Sequence, residues 1–190
     1  MLEKEYKYLI SEEIYKELRE KFSESKQRVI KNEYLLDTEG ILEKNHVTVR
    51  VREEDGRKFF QIKQHLQSEK KFEKLTLREE YSREITDEKI TTEEIKEEIK
   101  TFAQLNVKDI YSAGTLKTIR NQTDLGNKSV LCMDKNLYLD ITDYEVEIEF
   151  QGKEPSESAK SIMKIMEEKS KQSQGGKRTR FLKRLRRTAE

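Results

Sequence analysis

The sequence predicts an α+β domain built on an antiparallel sheet with one dry face and one wet face. Three observations carry this reading. Several segments alternate apolar and polar or charged residues with the period of two that belongs to strands. Three others carry apolar residues at helical spacing. Charged residues make up 41% of the 190 residues, yet the net charge is only +1. Disorder goes with low hydrophobicity and high net charge together, so this charge belongs on surfaces or in an ionic interior.

The elements follow in order. Residues 2–10 read as a strand. Ser11 caps a helix over 12–23, with Ile14, Leu18 and Phe22 on its apolar stripe. Residues 29–37 are strand-like, and Gly40 turns the chain. His46 to Arg52 alternates, with Val47, Val49 and Val51 opposite His46, Thr48, Arg50 and Arg52. Asp55-Gly56 signals a hairpin. Its return strand runs over 58–65, and 66–74 is a polar loop. Residues 75–85 form a strand on which Arg78, Glu80, Ser82 and Glu84 share a face. Thr91 to Glu94 is a capping-box start for a helix over 92–104. A short helix is expected over 107–112, then strands over 116–121, 130–134 and 143–150, with Asn136 as a turn. Pro155 opens a helix over 156–172, and Ser173 to Gly176 break it.

Composition excludes several classes. No run of about 18 apolar residues exists, so no transmembrane helix is expected. The start reads directly as a strand without a signal peptide, and a single cysteine, Cys132, fits a reducing cytoplasm. Cys132, His46 and His65 are too few and scattered for zinc. The two imidazoles read as polar filler and Cys132 as a small buried residue. A metal would be held by oxygen, which points to magnesium, manganese or calcium. The basic end, Lys177 to Arg187, could meet nucleic acid or anionic lipid. The nearly neutral chain and the Phe181, Leu182, Leu185 stripe favour instead a short helix, about 178–190, docked on the domain.

The wet faces carry the chemistry. Glu3, Glu5 and Lys7 share one, as do Arg50 with Arg52, Arg78 with Glu80, and Glu145 with Glu147 and Glu149. An open sheet would solvate them. A closed barrel would line one lumen with them, abolish the sheet edges and turn the apolar face outward under the helices. Such a lumen suits a metal-bound polyphosphate: arginines and lysines ask for a polyanion, and clustered carboxylates for divalent cations.

These motifs, in this order, resemble the CYTH domain family of triphosphate tunnel metalloenzymes. Glu3-x-Glu5-x-Lys7 is similar to its ExExK signature, and Tyr34 to Thr38 to its tyrosine-to-DT strand. Val49 to Arg52, Ile62-Lys63, Arg78 to Tyr81, Thr118 to Arg120, Met133-Asp134, Glu145 to Glu149 and Lys177 to Arg180 follow in order. The closest likeness is to short stand-alone bacterial members. The resemblance implies one domain over 1–190, folded as a closed eight-stranded antiparallel barrel. It implies hydrolysis or transfer at a triphosphate, most simply inorganic triphosphate, with Mg2+ or Mn2+. A class IV adenylate cyclase, a thiamine triphosphatase and a non-catalytic polyphosphate- or nucleotide-binding module are the alternatives. Carried over by motif, Glu3, Glu5, Asp134, Glu145, Glu147 and Glu149 form the metal side. Arg50, Arg52, Lys63, Arg78, Arg120, Lys177 and Arg180 form the phosphate side. Lys7 orients or deprotonates the attacking water, with Glu3 and Glu5 beside it. Asp140 or Asp143 is the alternative to Asp134, Arg178 is the alternative to Arg180, and Glu145 pairs either with metal or with Lys or Arg. A dimer is left open.

Overall fold

The period-two segments become strands, and each strand pairs antiparallel with two neighbours. They are β1 (Leu2–Ile10), β2 (Lys26–Asp37), β3 (Val47–Glu54), β4 (Arg57–His65), β5 (Leu75–Ile85), β6 (Ile110–Asp124), β7 (Ser129–Tyr138) and β8 (Ile141–Phe150). The computed structural model describes residues 2–66, 75–86, 90–170 and 175–188, without the side chains of Leu2, Glu3, Leu75 and Thr76. The expected loop over 66–74 lies almost wholly outside the described residues. The strands close into one barrel in the order β1-β5-β4-β3-β2-β6-β7-β8. The first and last strands meet, with Lys7 opposite Glu147. Closure leaves no sheet edge exposed.

Directly opposed residues in an antiparallel pair share a face. The register therefore sorts the side chains. Lys63 lies opposite Glu80, Arg52 opposite Asn32 and Arg120 opposite Asp134. These charged rows face the lumen, and the apolar rows face outward.

The helices are α1 (Glu12–Lys21), α2 (Ile41–Lys44), α3 (Thr92–Ala103), α4 (Glu157–Lys169) and α5 (Lys177–Thr188). On one side Leu18 of α1 and Ala159, Ile162 and Met166 of α4 cover Tyr8, Leu131, Met133, Val146 and Ile148. On the other, Leu42 of α2 with Ile95 and Ile99 of α3 cover Val47, Val49, Phe60 and Ile62. The caps are local. Ser11 and Ser156 cap α1 and α4, and Thr91 with Glu94 form a full capping box on α3. The Asp37 carboxylate accepts from Ile41 N–H at 2.7 Å and Leu42 N–H at 2.9 Å, which starts α2.

Two expectations need correction. Residues 107–112 are not a helix. Asp37 of β2 pairs with Ile110, and Thr38 N–H donates to Asp109 C=O at 3.1 Å, so strand pairing captures the segment. Asn136 is not a turn. It lies buried inside β7, accepting from Thr118 Oγ1 at 2.7 Å and donating to Asp143 at 2.9 Å. The turn falls instead at Leu139, which takes a positive φ of 50°. The basic helix α5 docks on the barrel through Phe181 and Leu182, as its apolar stripe suggests. Phe181 packs on lumen-side Tyr34 and on Tyr138, with ring centroids 5.5 and 6.1 Å away, and Leu116 and Leu182 complete the cluster. Thus α5 stops one end of the lumen. Gly114 permits the approach: at φ 116° it lies where a Cβ would come within 3.2 Å of Phe181 Cζ.

Candidate active site

The lumen encloses a cavity of about 340 Å³. Ten of the residues chosen from sequence border it: Glu5 and Lys7 on β1, Arg50 and Arg52 on β3, Lys63, Arg78, Arg120, Glu147, Glu149 and Lys177. Asp134, Glu145 and Arg180 stand behind this lining, each buried. Glu3 pairs with Arg78 along the backbone; its side chain lies outside the description.

The acids form two triads that share Glu147. Carboxylate oxygens of Glu5, Glu147 and Glu149 come within 4.8 Å of one another, and so do those of Asp134, Glu145 and Glu147. The second triad already holds a cation. Lys177 Nζ lies 2.8 Å from Asp134, 2.6 Å from Glu145 and 2.7 Å from Glu147. Arg180 fixes that arrangement from behind, donating to Glu145 and Gly175 C=O at 2.7 Å each and to Asp143 at 2.8 Å. So Glu145 pairs with Lys177 and Arg180, and Asp143 serves Arg180, Asn136 and Tyr138. Asp140, the other alternative acid, pairs with Arg184 on the surface.

Lys7 contacts Glu5 at 2.9 Å and also Glu147. Burial works to lower its pKa, but Glu147 and Glu5 outweigh burial and raise it. Burial likewise works to raise Glu147, and Lys177, Lys7 and Arg120 override it, holding the carboxyl well below its ordinary range. Asp134 follows the same pattern, with Arg120 and Lys177 overriding burial. Groups with depressed folded pKa values stabilise fully above their unfolded values and lose that contribution as pH falls through the folded ones. The barrel is therefore expected to hold its stability down to about pH 5 and to lose about 2 kcal/mol or more between there and pH 3. Urea unfolding at fixed ionic strength reads this directly; an unchanged midpoint at pH 3 would contradict it.

The opposite wall gathers Arg50, Arg52, Lys63 and Arg78. Arg50 is oriented by Gln61 at 2.8 Å and has no carboxylate partner among the described residues. Burial and neighbouring Arg50 depress the Arg52 pKa, despite Glu54 at 2.6 Å. Arg78 reaches Glu5 at 2.8 Å, and Lys63 reaches Glu80 at 3.3 Å. Crowded, partly desolvated guanidinium groups favour an added anion.

A family model for the CYTH domain matches residues 1–181. The chain belongs to the CYTH domain family. No curated protein matches it. Solved structures share the fold at low identity. A proposed adenylate cyclase from Bacillus halodurans is 20% identical, with a TM-score of 0.64 over 93% of this chain and 95% of that one. HpAC1 from Hippeastrum, proposed as an adenylyl cyclase and described as having a dominant triphosphatase activity, is 18% identical, with a TM-score of 0.73 and 95% of each chain covered. The PH1819 protein of Pyrococcus horikoshii OT3 is 17% identical, with a TM-score of 0.63 over 96% of this chain and 99% of that one.

Within this CYTH domain, sequence reasoning missed Arg28 and Gln122, both of which border the tunnel. Arg28 precedes Ile30, Asn32 and Tyr34 on the same face of β2, so starting that strand at Lys26 reveals it. Arg178 borders the lumen where Arg180 does not. Cys132 is buried, donates to Glu149 at 3.6 Å, and burial pushes its thiol pKa well up, which suits a neutral filler.

Proposed function

We propose that this protein is a divalent-metal-dependent triphosphatase that hydrolyses the terminal phosphoanhydride of a triphosphate, inorganic triphosphate first. One observation carries the reading: a carboxylate triad and the cations Arg50, Arg52, Lys63 and Arg78 line one closed lumen.

Glu5, Glu147 and Glu149 fit a hard divalent ion such as Mg2+ or Mn2+, since all three offer oxygen and their oxygens converge. Both triads are paired with cations, but we place the metal at Glu5, Glu147 and Glu149 because these three border the cavity, whereas Asp134 and Glu145 stand behind its lining. A bound divalent ion supplies charge neutralisation and polarises a phosphoryl oxygen. Arg50, Arg52, Lys63, Arg78 and Arg120 bind and align the phosphates, stabilising charge that spreads over the transferring group. Water attacks the terminal phosphorus, the bridging P–O bond breaks with its electron pair going to the departing diphosphate oxygen, and the water's proton passes to a phosphate oxygen. Lys7 takes the orienting role: its amine lies 2.9 Å from Glu5 and beside Glu147, where as an ammonium it can donate to the water or to a phosphate oxygen. Lys177 and Arg180 position Glu145 and Glu147 and close the end of the site.

Phosphate release from tripolyphosphate, ATP and thiamine triphosphate, with magnesium or manganese, tests the proposal. Tripolyphosphate is expected to be the best substrate, with no release once the metal is chelated. Cyclic AMP formation without tripolyphosphate cleavage would favour the cyclase reading. Preference for thiamine triphosphate would favour a thiamine triphosphatase, and tight binding without turnover a binding module.

A further inference from the structure

A second cavity, about 690 Å³, lies outside the plugged end of the lumen. It shares Thr48, Arg78, Arg178 and Thr179 with the tunnel cavity, so the two spaces abut through these residues. Its outer wall carries Lys183, Arg186 and Arg187 from α5. The facing rim brings the imidazoles of His46 and His65, with centroids 6.4 Å apart. Glu43 is the one acid among the lining residues, and it is paired with Arg186. Lys183 and Arg187 have no carboxylate partner among the described residues.

Arg178 stands at the junction. Its Nε and Nη2 are buried and find no hydrogen-bond partner among the described residues. Buried donors left unpaired are costly, and a guanidinium more so than a neutral group. Burial also depresses its pKa. Both features describe a group that an incoming oxyanion would satisfy. The lining holds no Asn, Gln or Asp and no Phe, Tyr or Trp. A nucleobase would find few acceptors and no large ring there, whereas an oxyanion chain finds cationic donors on most sides.

We propose that this vestibule binds the continuing chain of a linear polyphosphate longer than three units, with Arg178 at its junction with the tunnel. The inference deepens the triphosphatase reading and rests on it for the place of the first three phosphates. The chain would enter past Arg178 and rest against Lys183, Arg187 and the two imidazoles.

The test is calorimetric titration of the full chain with tripolyphosphate, ATP and a linear polyphosphate of about ten units. Metal-free buffer of fixed ionic strength leaves the cationic walls active and metal-dependent turnover switched off. The variant is Lys183→Ala with Arg187→Ala, both exposed positions. A long chain offers several registers and gains some affinity from that alone, so the diagnostic is the ratio of long-chain to tripolyphosphate affinity. That ratio is expected to fall about tenfold in the variant, the scale of one or two lost charge-assisted contacts, with tripolyphosphate affinity within about twofold of the parent. An unchanged ratio, or equal weakening of both ligands, would overturn the proposal. So would a loss of ATP affinity matching that of the long chain, which would make the occupant an organic tail. If the ratio falls but no triphosphate is cleaved in the phosphate-release assay, the vestibule stands and the enzymatic reading fails.

Discussion

Glu147→Gln is expected to lower kcat on tripolyphosphate by about a thousandfold or more, the scale seen when charge stabilisation at a transferring group is removed. Glu147 is the residue on which the site converges. It belongs to both carboxylate triads and touches Lys7, Arg120 and Lys177. Glutamine keeps its volume but not its charge, so the metal side loses a ligand and three buried cations lose a shared partner. The remaining acids, Glu5, Asp134, Glu145 and Glu149, still contact those cations. The fold is therefore expected to survive with reduced stability, which circular dichroism would check beside the kinetics. Parental turnover in a folded variant would remove Glu147 from the site.

Lys177→Met is expected to be the most destabilising change in the tunnel, by about 3–5 kcal/mol. Burial opposes the Lys177 charge, but Asp134, Glu145 and Glu147 outweigh it and raise its pKa well above that of an ordinary lysine. Removing the ammonium leaves its three carboxylates short of a counter-charge, with Arg120 and Arg180 partly compensating. A chain of this length should lose roughly 10 °C in Tm. The vacated triad then has room for a divalent ion, so Mn2+ is expected to raise the Tm of the variant more than that of the parent. Equal shifts in both proteins would show that Lys177 does not occupy a cation position.

Much of this barrel was legible because strands leave a simple trace. Tyr144 to Phe150 alternates without a break, and one of its faces could only be wet, paired or metal-binding. The closed lumen realises the paired arrangement, with Lys7, Arg120 and Lys177 reaching Glu147. What the sequence could not reveal was which acid meets which base. Glu145 and Glu147 look equivalent along β8, yet Arg180 from the far end of the chain reaches only Glu145. That selection depends on where α5 seats, which Phe181, Tyr34 and Gly114 decide through packing between segments far apart in the chain. Asn136 misled for a related reason. Its amide suits a turn by propensity, but in β7 it is satisfied by Thr118 and Asp143, so tertiary partners override the local preference.

One lumen is proposed to hold metal on its carboxylate side and a triphosphate on its arginine side. A crystal structure with Mn2+ and a non-hydrolysable triphosphate tests it, using anomalous scattering to locate the metal. Manganese is expected within ligand distance of Glu5, Glu147 and Glu149, and phosphate oxygens against Arg50, Arg52 and Arg78. Manganese at surface acids such as Asp140, or a triphosphate bound outside the barrel, would contradict it.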